Sequence, residues 1–265
     1  MTIINLDMKN KIKTFKSIYI CLAVMVFTVL LSSPAFAIRI GLQTNTDYAQ
    51  IAASSAGDFI DGHSGRKISD AEAMKVYIIK SNGSSLSITI NGKTYSAGTN
   101  YLILKPGKDG FVFTKSRWYR GQLIVFNTGS GVTVANDLDL ENYLLGVVPA
   151  EMPSRWNVEA HKAQAIAARS YAIANLGKRT RYGYDLKDTP EDQAYGGASA
   201  ETPKTNQAVM ETRGQVLVYG NKVIPAYYHS SSGGYTINSG AVWVKDLPFV
   251  KSVPSFDGNV NVPAK

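Results

Sequence analysis

One segment near the middle of the chain is rich in alanine and is predicted to form a long helix. Asn157 and Gly177 bound residues 157–176 as typical capping residues, and Glu159 lies in the first turn. Because alanine side chains are short, such a helix can pack closely against its neighbours. We therefore expect it in the middle of the fold, with one buried stripe along it. The predicted stripe comprises Trp156, Ala160, Ala163, Gln164, Ala167, Tyr171 and Ala174.

A single carboxylate precedes this helix and lies between two prolines. Glu151 is flanked by Pro149 and Pro153, and proline restricts the backbone around it. We expect an extended backbone at Ala150 and Met152, which would hold the carboxyl group in a stiff corner suited to a catalytic acid. On spacing alone, the alternative is a solvated glutamate in a connecting loop.

The first part of the chain has the alternating pattern that is typical of strands. Clear alternation occurs in residues 38–42, 86–90, 119–126 and 132–134. Asn91 and Gly92 follow one of these strands and predict a hairpin. We interpret residues 54–66 as a loop and residues 69–74 as a helical turn. An antiparallel β-rich region is therefore expected over residues 38–136.

The second part switches to helical spacing. Residues 137–145 predict a helix that ends at Gly146. A helix over residues 202–213 and a hairpin over residues 215–228 follow, while residues 182–200 are interpreted as a long loop that belongs to the functional site. Trp243 and residues 247–249 are predicted to close the core.

These patterns predict an α+β fold. The antiparallel, β-rich N-terminal part is expected to pack on a mixed α/β part, residues 137–265, that is built around the alanine-rich central helix. We expect the two parts to form one continuous domain, because no repeat or low-complexity linker separates them.

The N-terminal residues have the features of a secretory signal. Four lysines precede an apolar run over residues 18–31, and residues 35–37 form a small-residue cleavage site. We predict a signal peptide over residues 1–37, cleaved after Ala37, with an uncleaved anchor as the alternative. Cys21, the only cysteine, lies within it. The protein is thus expected to be exported to the cell envelope, and no later segment is apolar enough to cross a membrane.

The mature chain is mildly basic. The net charge of the whole sequence is +8, and residues 1–37 hold four lysines and one aspartate, so 24 basic and 19 acidic residues remain, a net of +5. This excess favours adsorption to an anionic polymer such as cell wall. The basic residues are scattered apart from a cluster at residues 178–181, which argues against a nucleic-acid partner.

Four motifs in order closely resemble the SpoIID/LytB family, the stage II sporulation protein D type of cell-wall enzyme. They lie at residues 144–153, 159–171, 193–197 and 228–236, and the resemblance spans roughly residues 38–257. It implies a lytic transglycosylase that cleaves peptidoglycan glycan strands, with Glu151 as the acid/base. The chain ends earlier after Asp257 than the resemblance leads us to expect.

Several further residues are candidates for substrate binding. Arg169 either orients Glu151, binds a substrate carboxyl group or forms a structural ion pair. Gln193 and Tyr195 offer an amide and an aromatic plane for a sugar ring, and His229, Ser231 and Ser232 are placed to line a cleft. Gln164 is expected to bind the backbone of a nearby loop.

No cofactor or metal is expected. Many members of the family carry cysteine and histidine before the Gln193 motif, whereas residues 185–192 here contain neither, so zinc binding is not predicted. Family members also often have a glutamate after the double glycine, where this chain has Ile237.

Two other functions stay open on the sequence. The LytB branch is associated with enhancing an amidase, so the chain is alternatively a non-catalytic module that binds cell-wall glycan and assists an N-acetylmuramoyl-L-alanine amidase. A hydrolase that pairs His229 with Ser231 or Ser232 is the third reading, although the G-x-S-x-G motif is absent.

Overall fold

The computed structural model describes residues 36–243 and 246–255. The described residues from Ala37 onward cluster as one compact unit. The predicted signal peptide, with its apolar run and Cys21, lies outside the described residues, as does Asp257. Within the described part of the chain, no helix is long and apolar enough to cross a membrane.

The structure confirms the α+β class and the β-rich N-terminal part. Its strands are β1 (Ala37–Thr46), β2 (Tyr48–Ala53), β3 (Gly57–Asp61), β4 (Lys67–Ala71), β5 (Tyr77–Asn82), β6 (Ser85–Ile90), β7 (Lys93–Ser96), β8 (Tyr101–Pro106), β9 (Val112–Thr114), β10 (Arg117–Tyr119), β11 (Gln122–Asn127), β12 (Val132–Asp139), β13 (Leu186–Lys187), β14 (Val218–Tyr219) and β15 (Lys222–Val223).

Two larger sheets and one short hairpin contain these strands. The seven-stranded sheet has the order β13-β1-β12-β11-β8-β3-β4, and the six-stranded sheet has the order β10-β9-β2-β5-β6-β7. Residues from both sheets, such as Phe59 and Ile79, belong to one core cluster with Leu144 of the helical part. A fully buried side chain of this size contributes about 1.5–3 kcal/mol, so this shared core holds the β-rich and helical parts together.

The hairpin at Asn91-Gly92 is confirmed, whereas two neighbouring assignments are wrong. β6 and β7 pair in the expected register, and both turn residues have positive φ, 50° and 75°, as the favoured two-residue turn requires. The predicted loop over residues 54–66 contains β3, and the first half of the predicted helical turn over residues 69–74 belongs to β4. β3 is held by long-range pairing with β8, and β4 pairs with β3 at the edge of the sheet.

The helices are α1 (Leu140–Glu151), α2 (Val158–Ala174), α3 (Pro203–Glu211) and α4 (Ser239–Val242), with short 3₁₀ turns at Thr180–Tyr182 and Ala198–Ala200. The caps of α2 and α3 agree with the sequence, because the Asn157 side chain accepts from the Glu159 N–H and Thr202 caps α3. The predicted start of the preceding helix at residue 137 is wrong. Strand β12 continues to Asp139, and this residue is the N-cap of α1.

The buried stripe of α2 is displaced from its predicted position. Trp156 is 47% exposed and Ala163 is also exposed. The buried side chains are His161, Gln164, Ala165, Ala168, Arg169, Ser170, Tyr171 and Ala172. The helix therefore buries several polar side chains that the alanine pattern alone did not place in the core.

The β-rich part contacts the loop that follows α2 through an ion pair and a hydrogen bond. Arg120 forms a bidentate ion pair with Glu201, at 2.6 and 2.9 Å. The backbone N–H of Trp118 donates to Ser199 Oγ at 2.9 Å. Strand β10 and its flank therefore hold the end of the loop over residues 182–200, which is mostly irregular, as predicted.

The C-terminal segment is more exposed than the sequence suggested. The hairpin predicted over residues 215–228 is present only as the short pair β14 and β15. Trp243 is 43% exposed, and residues 247–249 are not buried. The prediction that these residues close the core is therefore wrong.

Candidate active site

Glu151 is the last residue of α1, not part of a loop corner. The helix continues through Gly146, where the sequence predicted a stop, and Pro149 lies in its last turn. Met152 is extended, with φ −135° and ψ 130°, and caps the helix, as expected for a residue that precedes a proline. Ala150 is helical, so the expectation of an extended backbone is correct on only one side of Glu151.

Gly146 is required by packing rather than by a helix stop. A Cβ atom on this residue would lie 2.6 Å from the Tyr195 ring and 2.9 Å from the Gly197 carbonyl oxygen. The Gly196 N–H donates to the Gly146 carbonyl oxygen at 3.0 Å. The absence of a side chain thus lets the loop over residues 193–197 lie directly on α1, next to Glu151.

One oxygen of the Glu151 carboxylate is held by two neutral donors. Oε1 accepts from the Ala194 N–H at 2.6 Å and from the Tyr228 hydroxyl at 3.2 Å. Oε2 accepts no hydrogen bond from the described residues, and no described cation forms an ion pair with the group. The side chain is half-buried. The arrangement therefore fixes the carboxylate while it leaves one oxygen able to exchange a proton.

A chain of hydrogen bonds positions Tyr228. The Tyr143 hydroxyl donates to Gln193 Oε1 at 3.3 Å, and Gln193 Nε2 donates to the Tyr228 oxygen at 3.1 Å and to the Ala168 carbonyl at 3.4 Å. Burial, and next the negative charge of Glu151, raise the pKa of Tyr228. Tyr228 therefore stays protonated and continues to donate to Glu151 at neutral pH.

Gln193 and Tyr195 support the site from inside the protein. Gln193 is fully buried and Tyr195 is 2% exposed. The Tyr195 hydroxyl donates to Asn136 Oδ1 at 2.8 Å, and its ring packs 4.9 Å from that of Tyr143. The structure brings this loop to Glu151 as predicted, but burial leaves neither side chain a face for a ligand. Their role is to position the loop that carries the Ala194 N–H.

Arg169 is separate from Glu151 and forms a structural ion pair. Its guanidinium donates to both carboxylate oxygens of Glu141, at 2.8 and 2.7 Å, and to the backbone carbonyls of Gln215 and Val209. The residue is 1% exposed. Of the three roles considered for Arg169, the orienting contact with Glu151 is absent, and the buried guanidinium is not available to a substrate carboxyl group.

His229, Ser231 and Ser232 line a groove of about 580 Å³ in the C-terminal segment. His229 and Ser231 are exposed, and Ser232 is half-buried. Ser231 Oγ accepts from the Gly233 N–H at 3.4 Å, which directs it toward its own loop. Tyr228, which donates to Glu151, directly precedes His229, so one segment carries a donor to the acid and a residue of the groove.

The sequence did not assign roles to two residues near Glu151. Tyr228 is the first residue of one of the four motifs. Its hydrogen bond to Glu151 joins residues 77 positions apart in the sequence, so the motif alone did not indicate this contact. His161 is fully buried, and its Nε2 lies 3.1 Å from the Pro153 carbonyl oxygen, just after the acid. Gln164, one turn further along α2, is buried with its Nε2 unpaired, so the expected contact to a loop backbone is not made by that atom.

The carboxylates of residues 185–192 are used in structural contacts. Asp188 pairs with Lys115 at 2.7 Å, and Asp192 pairs with Lys178 and Arg179 at 2.5 and 3.0 Å. Among residues 36–243 and 246–255, no group of three or more histidine, cysteine or acidic side chains could hold a metal ion.

Comparison with known proteins agrees with the motifs around Glu151. Residues 128–219 match the family model of SpoIID, stage II sporulation protein. The matched region contains Glu151, Arg169, Gln193 and Tyr195, and it ends before His229.

Three relatives illustrate the similarity. The chain is 46% identical over 107 residues to an amidase enhancer of Bacillus subtilis, covering 40% of this chain and 14% of that protein. It is 39% identical over 134 residues to stage II sporulation protein D of Bacillus amyloliquefaciens, covering 45% and 39%. It is 35% identical over 156 residues to an uncharacterized protein of Brachyspira hyodysenteriae, covering 58% and 42%.

The chain therefore spans less than half the length of each of these relatives. The family-model match over residues 128–219 and the names of two of these relatives nevertheless agree with the resemblance of the four motifs. On these matches, residues 128–219 form a region that is similar to the SpoIID family, stage II sporulation protein.

Proposed function

We propose that this protein acts on the cell wall as a lytic transglycosylase of peptidoglycan, with Glu151 as its single acid/base. The observation that carries this proposal is the environment of Glu151: one carboxylate oxygen is fixed by two neutral donors and the other is free of described partners. Such a group can bind a proton, release it and bind it again without breaking an ion pair.

Four acidic side chains of α1 and of the segment between α2 and α3 support a mechanism with one acid. Ordinary glycosidases use two carboxylates. Here Glu141, Asp188, Asp192 and Glu201 are each paired with a lysine or an arginine, so each is committed to a structural contact. A lytic transglycosylase needs no second carboxylate, because the substrate supplies the nucleophile.

The proposed reaction has two proton transfers at one residue. Protonated Glu151 donates to the glycosidic oxygen between N-acetylmuramic acid and N-acetylglucosamine, and the bond to the muramic C1 breaks. The resulting carboxylate then takes the proton of the muramic C6 hydroxyl, whose oxygen bonds to C1 and closes a 1,6-anhydro ring. Water is not consumed. The Ala194 N–H and the Tyr228 hydroxyl stabilise the carboxylate between the two steps.

The decisive variant is Glu151→Gln, with Glu159→Gln as its control. Glu159 lies on the next helix and its side chain is 71% exposed. We expect Glu151→Gln to fold normally and to lose glycan cleavage by at least about 10²-fold, since a positioned acid/base contributes about 10²–10⁴-fold. Glu159→Gln should be active. Mass spectrometry of intact and amidase-treated peptidoglycan measures the anhydromuramic ends, and persistent cleavage by folded Glu151→Gln would exclude this acid.

A smaller effect is expected for Tyr228→Phe. This change removes one of the two donors to Glu151 Oε1 and one partner of Gln193. The loss of about 1 kcal/mol corresponds to a roughly fivefold lower rate. Tyr95→Phe, at an exposed site on β7, should leave the rate unchanged. Equal rates for both variants would contradict the proposed role of Tyr228.

One observation favours a second function. The relative named amidase enhancer is 46% identical over 107 residues, so the chain is alternatively a glycan-binding module that assists an amidase. In that case, wild-type protein would release no anhydromuramic products but would accelerate a purified N-acetylmuramoyl-L-alanine amidase, and Glu151→Gln would do so equally well.

Both functions require export. The predicted signal peptide over residues 1–37 supports a location in the cell envelope. Mass spectrometry of the N terminus of protein recovered from the envelope would test cleavage after Ala37.

A further inference from the structure

Two exposed aromatic rings form one wall of the C-terminal groove. Tyr227 and Trp243 are 47% and 43% exposed, and their ring centroids lie 4.6 Å apart at an interplanar angle of 43°. Tyr227 is also supported from behind by Tyr171, at 6.1 Å and 73°. Because ring contacts fix both orientations, the pair presents a preformed aromatic surface instead of two mobile side chains.

The rest of the groove is amphipathic. Phe249 and Val250 add apolar surface, while His229, Ser231 and Thr236 add polar groups. A hexopyranose has an apolar C–H face and a rim of hydroxyl and acetamido groups, so it needs a flat ring together with a few hydroxyl or imidazole partners. The groove offers this combination in a volume of about 580 Å³.

The groove and the contacts of the acid share one segment of the chain. Tyr227 lines the groove, and the next residue, Tyr228, donates to Glu151. Consecutive Cα atoms are only about 3.8 Å apart, so one short segment carries both a residue of the aromatic wall and the hydroxyl group that donates to Glu151. The aromatic wall therefore begins one residue away from a direct contact of Glu151.

We propose that the Tyr227–Trp243 pair is a glycan subsite in which an N-acetylhexosamine of the strand stacks, away from the linkage that is cleaved. This inference rests on the proposed function, since it assigns the same substrate to a second position. Contacts distant from the reacting atoms supply binding energy that aligns the scissile bond, so the subsite contributes to strand binding and to kcat/KM.

Binding is best tested in the Glu151→Gln background, where we expect cleavage to be suppressed. The probe is amidase-treated peptidoglycan glycan strands, and the variants are Trp243→Ala and Trp243→Phe, with Tyr95→Ala as a control on β7. We expect Trp243→Ala to weaken binding about tenfold, about 1.4 kcal/mol, and Trp243→Phe to retain most of it. Tyr95→Ala should bind like the parent. Equal binding by folded Trp243→Ala would overturn the inference.

A second measurement covers the case in which Trp243→Ala does not fold. Trp118→Phe and Trp156→Phe together leave Trp243 as the only tryptophan, and saturating glycan strands should then change its fluorescence. An unchanged emission at saturation would also overturn the subsite.

The two proposals fail in different ways. Tight, Trp243-dependent binding without anhydromuramic products from wild-type protein would remove the catalytic function and keep the subsite. Normal cleavage and normal strand binding by Trp243→Ala would keep the catalytic function and remove the subsite.

Discussion

The β-rich part and the helical part of this protein bury different kinds of side chain. The two large sheets bury mainly aliphatic and aromatic residues, and their buried polar residues are uncharged. By contrast, the buried charged side chains among the described residues, Arg169, Asp188 and Asp192, all follow α1. Buried charges are costly unless they are paired, and here they fix the helices and loop that surround Glu151. The difference indicates that the sheets serve as a scaffold while the helical part uses polar contacts to build the site.

The largest effect is expected from breaking the ion pair of α1 and α2. Arg169→Ala leaves Glu141 without its cation and the Gln215 carbonyl without its donor. We expect a loss of about 3–5 kcal/mol in the free energy of unfolding, because one partner of a buried pair is removed. Urea denaturation measures this loss, with exposed Arg213→Ala as the control within about 0.5 kcal/mol. If the free energy of unfolding fell by less than about 1 kcal/mol, the buried ion pair would not be what holds the helical part together, and the contrast with the sheets would be wrong.

A smaller, pH-dependent effect is expected at Asp192. Desolvation raises the pKa of this carboxyl, but hydrogen bonds from Lys178, the Lys187 N–H and Arg179 outweigh it and hold the pKa below its usual range. A lowered folded-state pKa stabilises the protein above the unfolded value, about 3.9, and this contribution is lost as the pH falls through the folded-state pKa.

Asp192→Asn should therefore lower the stability by about 1–3 kcal/mol at pH 7. The gap between wild type and variant should narrow below about pH 4. Denaturation midpoints at several pH values between 3 and 7 measure this gap. A difference independent of pH would show that the charge of Asp192 is not what stabilises the loop.

The smallest effect is expected in the scaffold. Gly92 has φ +75°, and a Cβ atom added to it would have no neighbour within 4 Å, so Gly92→Ala meets only backbone strain, about 1 kcal/mol. Thermal unfolding should detect this loss, and Lys93→Ala serves as the control. Cleavage of glycan should be unaffected at a temperature where the variant is folded. A drop in activity would mean that the sheets do more than support the site.

Local features were predictable from the sequence because neighbouring residues determine them. The Asn91-Gly92 turn needs positive φ at two adjacent positions, and the Asn157 cap depends on a side chain and a backbone within one turn. The proximity of Glu151 to the Gln193 loop and to the segment around Tyr228 also followed, although only from the order of the motifs and their resemblance to a family.

Long-range packing could not be predicted in the same way. Gly146 suggested a helix end, but its missing side chain serves the close approach of the Gly197 backbone. Arg169 had several candidate partners, and its pairing with Glu141 depends on how α1 crosses α2. Trp243 was expected in the core, because an aromatic residue alone does not reveal which surface the remaining chain leaves uncovered.

The position of β1 also constrains the order in which the molecule assembles. Both neighbours of this strand lie far ahead in the sequence: Ala37 is opposite Asp139 in β12, and Ile40 is opposite Leu186 in β13. During synthesis, β1 is the first of the described strands to leave the ribosome, but it has no partner strand until β12, Val132–Asp139, has been made. Closing such long loops slows folding, so the strand that is made first is among the last to be paired.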